Sequence, residues 1–325
     1  MNIQLIVEDS ETKQRLDISD LVQEVSWTTH LQGVAGQLSF TMIPTEYNFN
    51  PGTKVWFSVN GQADLFAGRV FMTALTKTKT LSVTCYDLLR YLRNRDTYIF
   101  KNMTATQIFT KICKDLELPY QVNAQSSHIC APKTYDGAAL MDMIQGSLDE
   151  TFIKTGQYLF VRDNFGVLTL ENLMNFRKNY LLDKDLLTLD FSYSRSIDED
   201  SYTYVKLVSK EIDKQSGKEK TIISFARNTE LAEKWGPLLY RETVSKPTNQ
   251  AELDDRAQKL LELRGRTTKK LSFTTDGKLD VFAGCGLYVN LKDITNDDLN
   301  KWCQIITAKH TFKNQQHTMT LEVLL

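Results

Sequence analysis

Residues Pro51–Leu89 read PGTKVWFSVNGQADLFAGRVFMTALTKTKTLSVTCYDLL. Val55–Val59 and Gln62–Val70 flank Asn60-Gly61, and both residues of that pair readily take the positive φ values a type I′ turn requires. A β-hairpin is therefore expected here. Leu81–Cys85 alternates apolar and small polar residues, as a half-buried strand does. Working outward, residues 1–95 read as β-rich.

The texture changes near Tyr98. Thr104-Ala-Thr-Gln107 matches a capping box, and Ile108, Ile112 and Leu116 then recur at helical spacing, with Phe109 and Cys113 widening the stripe. Pro119 stops it. A second helix is expected to begin near Asp136, with Leu140, Ile144 and Leu148 on one face. Tyr158–Glu171 follows as a hairpin that turns at Asn164 and Gly166. From Asp190 strands return. Tyr202–Ile212 and Thr221–Phe225 flank a polar tip at Lys214–Lys220. One helix interrupts them, from an Asn249 cap with Glu252 three residues on, through Leu253, Ala257, Leu260, Leu261 and Arg264, to Gly265. Leu271–Thr275, Val281–Leu291, Cys303–Phe312 and His317–Leu325 are expected as closing strands.

The end of the chain echoes its start. FAGCGLYVNL, KWCQIITAKHTF and HTMTLEVLL parallel PGTKVWFSV, DLFAGRVFMTAL and TLSVTCYDLL. Two readings stand: a duplicated β-domain, or the general likeness of β-hairpins. Duplication would let three chains present six similar units around one axis.

Composition narrows the function classes. The chain has 325 residues, 42% of them hydrophobic, enough for two or three cored domains at roughly 150 residues each. The 39 Lys+Arg against 40 Asp+Glu leave a net charge of −1, so no global basic excess attracts nucleic acid. The five cysteines, Cys85, Cys113, Cys130, Cys285 and Cys303, are scattered and form no CxxC pair, which points to reduced thiols made in a cytosol. The N-terminus carries no signal-peptide pattern, and no apolar run approaches the roughly 20 residues that span a bilayer. Neither a specific nucleic-acid partner nor a stable membrane association is expected.

Catalytic and metal chemistry finds little purchase. There is no GxSxG, P-loop or GxGxxG. His310 and His317 flank a turn and can face each other, but no further Cys or His stands at a recognisable ligand spacing. His128 and Cys130 are read as surface or hydrogen-bonded residues. Asp149-Glu150 and Asp198-Glu199-Asp200 are adjacent acids, which are usually solvated, whereas a glycosidase needs two carboxylates set across a cleft. Arg90, Arg93 and Arg95 form one basic cluster. Arg264, Arg266, Lys269 and Lys270 form another; each reads first as a solvated helix end favouring cations, the other reading being a ring lumen or inter-subunit face that tolerates passing DNA or protein. Tyr86, Leu89 and Leu92 are expected to pack inward, with Asp87 pairing with Arg90 at i,i+3. No catalytic residue, metal or cofactor is expected.

Several segments, in order, resemble a known family. They are Trp27 with Gly36-Gln-Leu-Ser-Phe40, Pro51-Gly52, Phe66-Ala-Gly68, Tyr86-Asp-Leu-Leu-Arg-Tyr-Leu92, Trp235-Gly236-Pro237-Leu238, the Ala257–Leu261 helix, and His310…Asn314…His317-Thr-Met319…Leu321. The chain resembles the baseplate hubs of contractile tails, of the kind found in the defective prophage PBSX and in R-type bacteriocins, and more distantly the late-control D proteins of phages. Related hubs often carry Tyr-Gly where this chain has Trp235-Gly236, which puts only the local turn in question.

The resemblance implies an α+β, mainly β fold: two tail-tube-like β-barrels, 1–95 and 186–325, the second with one helix at about 249–264, around a small α+β domain at 96–185. It implies a homotrimeric ring that links a six-fold tail tube to a three-fold central spike. A LysM-type adaptor or tape-measure end and wedge proteins would be further neighbours. The protein would be made in a bacterial cytoplasm, built into a particle and released by lysis. The alternatives are a tail-associated peptidoglycan hydrolase and a siphophage tail-tip hub. Trp27, Gly52, Gly68, Asp87, Arg90, Trp235, Arg264, Arg266, His310 and His317 are the candidate structural or interface residues.

Overall fold

In the computed structural model the chain begins with seven strands: β1 Ile3–Glu8, β2 Arg15–Asp17, β3 Val22–His30, β4 Gln37–Met42, β5 Lys54–Val59, β6 Ala63–Leu75 and β7 Leu81–Tyr86. The middle alternates β8 Arg95–Phe100, α1 Ala105–Asp115, β9 Tyr120–Val122, β10 Lys133–Ala139, α2 Leu140–Thr155, β11 Leu159–Asp163, β12 Leu168–Asn172 and β13 Arg177–Leu182. Then come β14 Asp190–Ser196, β15 Tyr204–Ile212, β16 Glu219–Arg227, α3 Thr229–Trp235, β17 Leu239–Val244, α4 Gln250–Arg264, β18 Thr268–Asp276, β19 Gly286–Asn290, β20 Asn300–Lys313 and β21 Gln316–Leu324. The structure describes all residues except 10–11, 32, 44–49, 62, 76, 78–79, 183–189, 199, 213–218, 245–248 and 291–299.

The fold is α+β and mainly β, as expected. Local chemistry formed the expected elements. Asn60 and Gly61 take φ values of 57° and 61°, closing the β5–β6 hairpin. At α1, Thr104 Oγ1 accepts from the Gln107 N–H at 3.3 Å, and Gln107 Oε1 accepts from the Thr104 N–H at 2.9 Å. At α4, Asn249 Oδ1 accepts from the Glu252 N–H at 2.9 Å.

Residues 1–192 and 272–324 group as one compact unit, and residues 193–271 with Leu325 as a second. In the first unit an antiparallel path runs β21-β20-β3-β4-β7-β6-β5-β1-β2. β19 pairs with the start of β20, and β13 lies parallel to β19. β4 and β5 alternate half-buried and buried residues, so every second side chain enters one core. That core joins Leu5, Val25, Trp27, Phe40, Val55, Phe57 and Val83 to Phe312 from the far end of the chain. A second core packs α1 and α2, through Ile108, Phe109, Ile112, Leu140 and Ile144, against Leu89, Leu92, Leu168 and Leu170.

The echo of start and end has a structural counterpart. β5-β6-β7 and β19-β20-β21 are both three-stranded antiparallel meanders. In each, the long middle strand carries one extra residue opposite the last strand. Phe71 is extra between the Val70–Cys85 and Met72–Thr84 pairs, and Ile306 between Ile305–Val323 and Thr307–Glu322. Counted along the quoted segments, Phe71 is the eighth residue of DLFAGRVFMTAL and Ile306 the sixth of KWCQIITAKHTF.

The grouping into units differs from the expected cuts at 95 and 185. The stretch 186–325 does not stay together, because β20 pairs with β3 and sends Phe312 into the core of the first strands. Residues 193–271 instead build their own sheet, β16-β15-β17, with α4 packed on one face. The second helix starts at Leu140 rather than near Asp136, since Lys133–Ala139 pairs with β8 through a bulge at which Gly137 takes φ +61°. Val281–Cys285 is not strand, and β19 begins only at Gly286. The short helix α3 was not expected. Gly265 ends α4 without a left-handed φ, and a Cβ there would lie 2.7 Å from the Leu261 carbonyl oxygen. The polar tip at Lys214–Lys220 falls largely outside the described residues.

Candidate functional site

The seam where β3 meets β20 collects three of the singled-out residues. Trp27 stands directly opposite His310 in the antiparallel register, and their rings stack with centroids 5.0 Å apart. Across the last hairpin, Phe312 pairs with His317, and their rings stack at 4.3 Å. His310 Nδ1 and His317 Nε2 are 2.9 Å apart, and His310 Nε2 lies 2.9 Å from the Val281 carbonyl oxygen. A carbonyl only accepts, so Nε2–H of His310 donates to it. His310 Nδ1 is then bare and accepts from His317 Nε2–H. This assignment of protons needs a neutral His310 ring, since its Nδ1 must carry a lone pair.

Their surroundings enforce neutrality. His310 is fully buried, and burial together with neighbouring His317 lowers its pKa to about 4. Burial likewise lowers His317 to about 4. Gly277 makes room for the pair: a Cβ there would fall 2.2 Å from the His317 ring. Among the described residues no group of three or more His, Cys, Asp or Glu is arranged to hold a metal. Chemically the seam is a hydrogen-bonded, aromatic-stacked joint between the first and last strands.

A second constellation lies at the end of β7. Asp87 caps the short 3-10 turn Leu88–Arg93, its Oδ1 accepting from the Leu89 N–H at 3.0 Å and its Oδ2 from the Gly36 N–H at 2.9 Å. Asp87 is buried and does not take Arg90 as its partner, contrary to the i,i+3 expectation. The Arg90 guanidinium instead lies over the Phe71 ring at 5.4 Å. Leu89 and Leu92 are buried as expected, whereas Tyr86 is half-buried.

Asp163, at the end of β11, accepts from the Leu88 N–H at 3.2 Å and from the Gly166 N–H at 2.7 Å. Burial and the like charge of Asp163 push the Asp87 carboxyl well above the usual carboxylate range. Burial raises Asp163 to about 6. Sequence reasoning missed Asp163. Its only local signal is its place before the Asn-Phe-Gly turn, and nothing local connects it to a residue 76 positions away.

The carboxylates of this acid pair are engaged by backbone N–H groups, and among the described residues neither acid lines open depressions of about 570, 270 and 120 Å³. Each depression presents at most one carboxylate: Asp64 in the 270 Å³ one and Asp149 in the 120 Å³ one.

The remaining singled-out residues are placed apart. Gly52 takes φ +96° and donates its N–H to the Val70 carbonyl at 2.8 Å. At Gly68 a Cβ would sit 2.3 Å from the Tyr86 carbonyl oxygen, so this close approach of β6 to β7 requires glycine. Trp235 ends α3 half-buried, and Gly236 takes φ +82°. Arg264, at the last turn of α4, pairs with Asp200. The Arg266 carbonyl accepts from the Ser201 hydroxyl at 2.7 Å. His128 and Glu150 are 3.1 Å apart, and the same carboxylate accepts from the Ala131 N–H at 2.8 Å. All five cysteines are buried and unbridged. No helix among the described residues is long and apolar enough to cross a membrane.

A family model described as YQBQ-like matches residues 25–324. Two Bacillus subtilis (strain 168) proteins are each 30% identical. The uncharacterized protein YqbQ matches over 281 residues, covering 86% of this chain and 82% of the relative. The phage-like element PBSX protein XkdQ matches over 283 residues, covering 86% and 83%. Among solved structures, the 43 kDa tail protein of prophage MuSo2 from Shewanella oneidensis superposes with a TM-score of 0.71 at 13% identity, covering 98% of both chains. The E. coli c3393 protein, a type VI secretion component described as structurally similar to the T4 tail proteins gp27 and gp5, gives 0.50 at 11%, covering 93% and 73%. These two likenesses are of fold.

Proposed function

The chain belongs to the YQBQ-like family, and on that premise we propose that it is a structural phage-tail protein: the baseplate hub of a contractile tail or tail-derived particle. One observation carries the hub reading. The two ends of the chain form like meanders, each with a one-residue bulge in its long middle strand. Three chains would then present six similar β-units around one axis, which suits a junction between a six-fold tube and a three-fold spike.

The two meanders would be the walls of two tube-like β-barrels. The central spike, the tail tube protein, a LysM-type adaptor or tape-measure end, and wedge proteins would be its neighbours. The work is mechanical and calls for large permanent interfaces rather than a catalytic centre. Synthesis in the bacterial cytoplasm and release by lysis go with this role. The burial of Asp87, and the backbone N–H groups that hold its carboxylate and that of Asp163, weigh against the hydrolase alternative.

The test is the oligomeric state of the purified full chain by native mass spectrometry, alone and with the central spike protein of its particle. A trimer, alone or only with the spike, is the expected result. A persistent monomer that degrades cell wall on a zymogram overturns the hub and supports the hydrolase.

A further inference from the structure

The small sheet of the second unit has two unlike faces. Toward α4 it presents Val205, Leu207 and Val244, which pack against Leu253, Ala257 and Leu261. The register puts Tyr204, Lys206 and Val208 of β15 on the opposite face. Beside them lie Arg227, Phe225 and Ile223 of β16, and Leu239, Arg241 and Thr243 of β17. On this side Val208 is buried, but large apolar residues of the two outer strands stay open: Ile223 is 50% exposed, Phe225 56% and Leu239 52%. Tyr204 packs against Phe225 at 5.5 Å, and Arg227 lies over the Tyr204 ring at 5.3 Å. Exposed aromatic and aliphatic side chains interspersed with Lys206, Arg227 and Arg241 have the make-up of a protein–protein interface.

The outer stripe of α4 has the complementary character. Glu252, Asp255 and Glu262 face solvent there, with Lys259 paired to Asp255 at 2.7 Å, and Leu263 is 57% exposed beside them. The unit thus carries a basic apolar face on one side of its sheet and an acidic face with an apolar residue on the outside of the helix covering the other. Two different faces of one unit that complement each other make a head-to-tail contact, which closes into a ring when the rotation per copy divides a full turn. Lys206, Arg227 and Arg241 stand among Tyr204, Ile223, Phe225 and Leu239, and so large an apolar share suits an acidic protein surface better than a nucleic-acid backbone. We propose that the β16-β15-β17 face of one chain docks on the outer face of α4 of a second copy. This inference rests on the ring reading above and assigns a contact to it.

Native mass spectrometry of charge-reversed full chains tests it. Lys206→Glu with Arg241→Glu inverts the sheet face. Glu252→Lys with Glu262→Lys inverts the helix face. Arg241, Glu252 and Glu262 are exposed and Lys206 is half-buried, so far-UV circular dichroism checks that each variant is folded. Each pair alone is expected to raise the self-association Kd at least about 30-fold, and the four together are expected to restore oligomers. A Phe225→Ser variant is expected to dissociate without any charge change.

Oligomers unmoved by the reversals overturn this contact and leave the ring reading standing. Loss in each pair without restoration in the combination overturns the pairing of these two faces. A wild-type chain that stays monomeric, alone and with the spike protein, overturns both. If the sheet reversal spares the oligomer but abolishes binding of a short DNA duplex, the face belongs to nucleic acid and the proposal falls.

Discussion

The backbone N–H of Gly36 donates to Asp87 Oδ2 at 2.9 Å, although 51 residues separate them in sequence. A Cβ at position 36 would lie 2.3 Å from that oxygen. Gly36→Ala therefore displaces a buried carboxylate from one of its two backbone donors. We expect a loss of roughly 2–3 kcal/mol, read as a lower denaturation midpoint in urea. A midpoint within error of wild type would show that the Asp87 cap is not held by this contact.

Asp163 and Asp87 make stability depend on pH in one direction. Their folded pKa values are raised, Asp163 to about 6. Raised carboxyl groups stabilise fully below the unfolded value and lose that contribution as pH climbs through the folded one. Asp163→Asn removes a charge from this pair. Its stability relative to wild type should improve between pH 4 and 7. A constant difference across that range would contradict the buried-pair account.

His310 and His317 act with the opposite sign. Both are lowered to about 4 from an ordinary value of 6.5. Their contribution is present above pH 6.5 and is lost as pH falls toward 4, because the unfolded chain takes up protons that the fold refuses. His317→Gln keeps a donor for His310 Nδ1 but does not titrate. Its stability should fall less than that of wild type between pH 6.5 and 4, measured by thermal melts. Parallel curves would rule out neutral histidines at the seam.

Thr104→Ala removes half of the α1 capping box. The expected cost is about 0.5–2 kcal/mol. Gln107→Ala should cost less, and the double variant less than the sum, since each side chain closes the other's turn. Strict additivity in a double-mutant cycle would argue that the two bonds are independent.

Replacing Arg264, Arg266, Lys269 and Lys270 with Gln should leave the oligomeric state unchanged, at a stability cost below about 1 kcal/mol. Arg264 is engaged with Asp200 at the surface. Failure of the variant to assemble would move this cluster into an interface.

Much of the local structure was legible because its causes are local. Asn60-Gly61 needs only its own two residues to accept positive φ. Thr104 and Gln107 cap within one turn, and the alternation in Lys54–Val59 sorts faces by period alone. The misreadings came where a distant partner overrode local preference. Lys133–Ala139 is strand because β8 pairs with it. Asp87 ignores Arg90, three residues on, because Gly36 and Leu89 hold its carboxylate in a buried site. Thr229–Trp235 is too short for its periodicity to stand out.

The sequence by itself determined the mainly β character, the hairpins, the capped helices and the likeness of the chain's two ends. Those follow from side-chain period, turn geometry and capping, which act over a few residues. Only the tertiary structure decided that β20 joins β3 across some 280 residues, stacking Trp27 on His310 and sending Phe312 into the N-terminal core. The packing of the end of β11 against the turn after β7 likewise brought Asp87 into the field of Asp163. A hydrophobic face specifies that it will be buried but not against what. The partner is chosen by the packing of the whole chain.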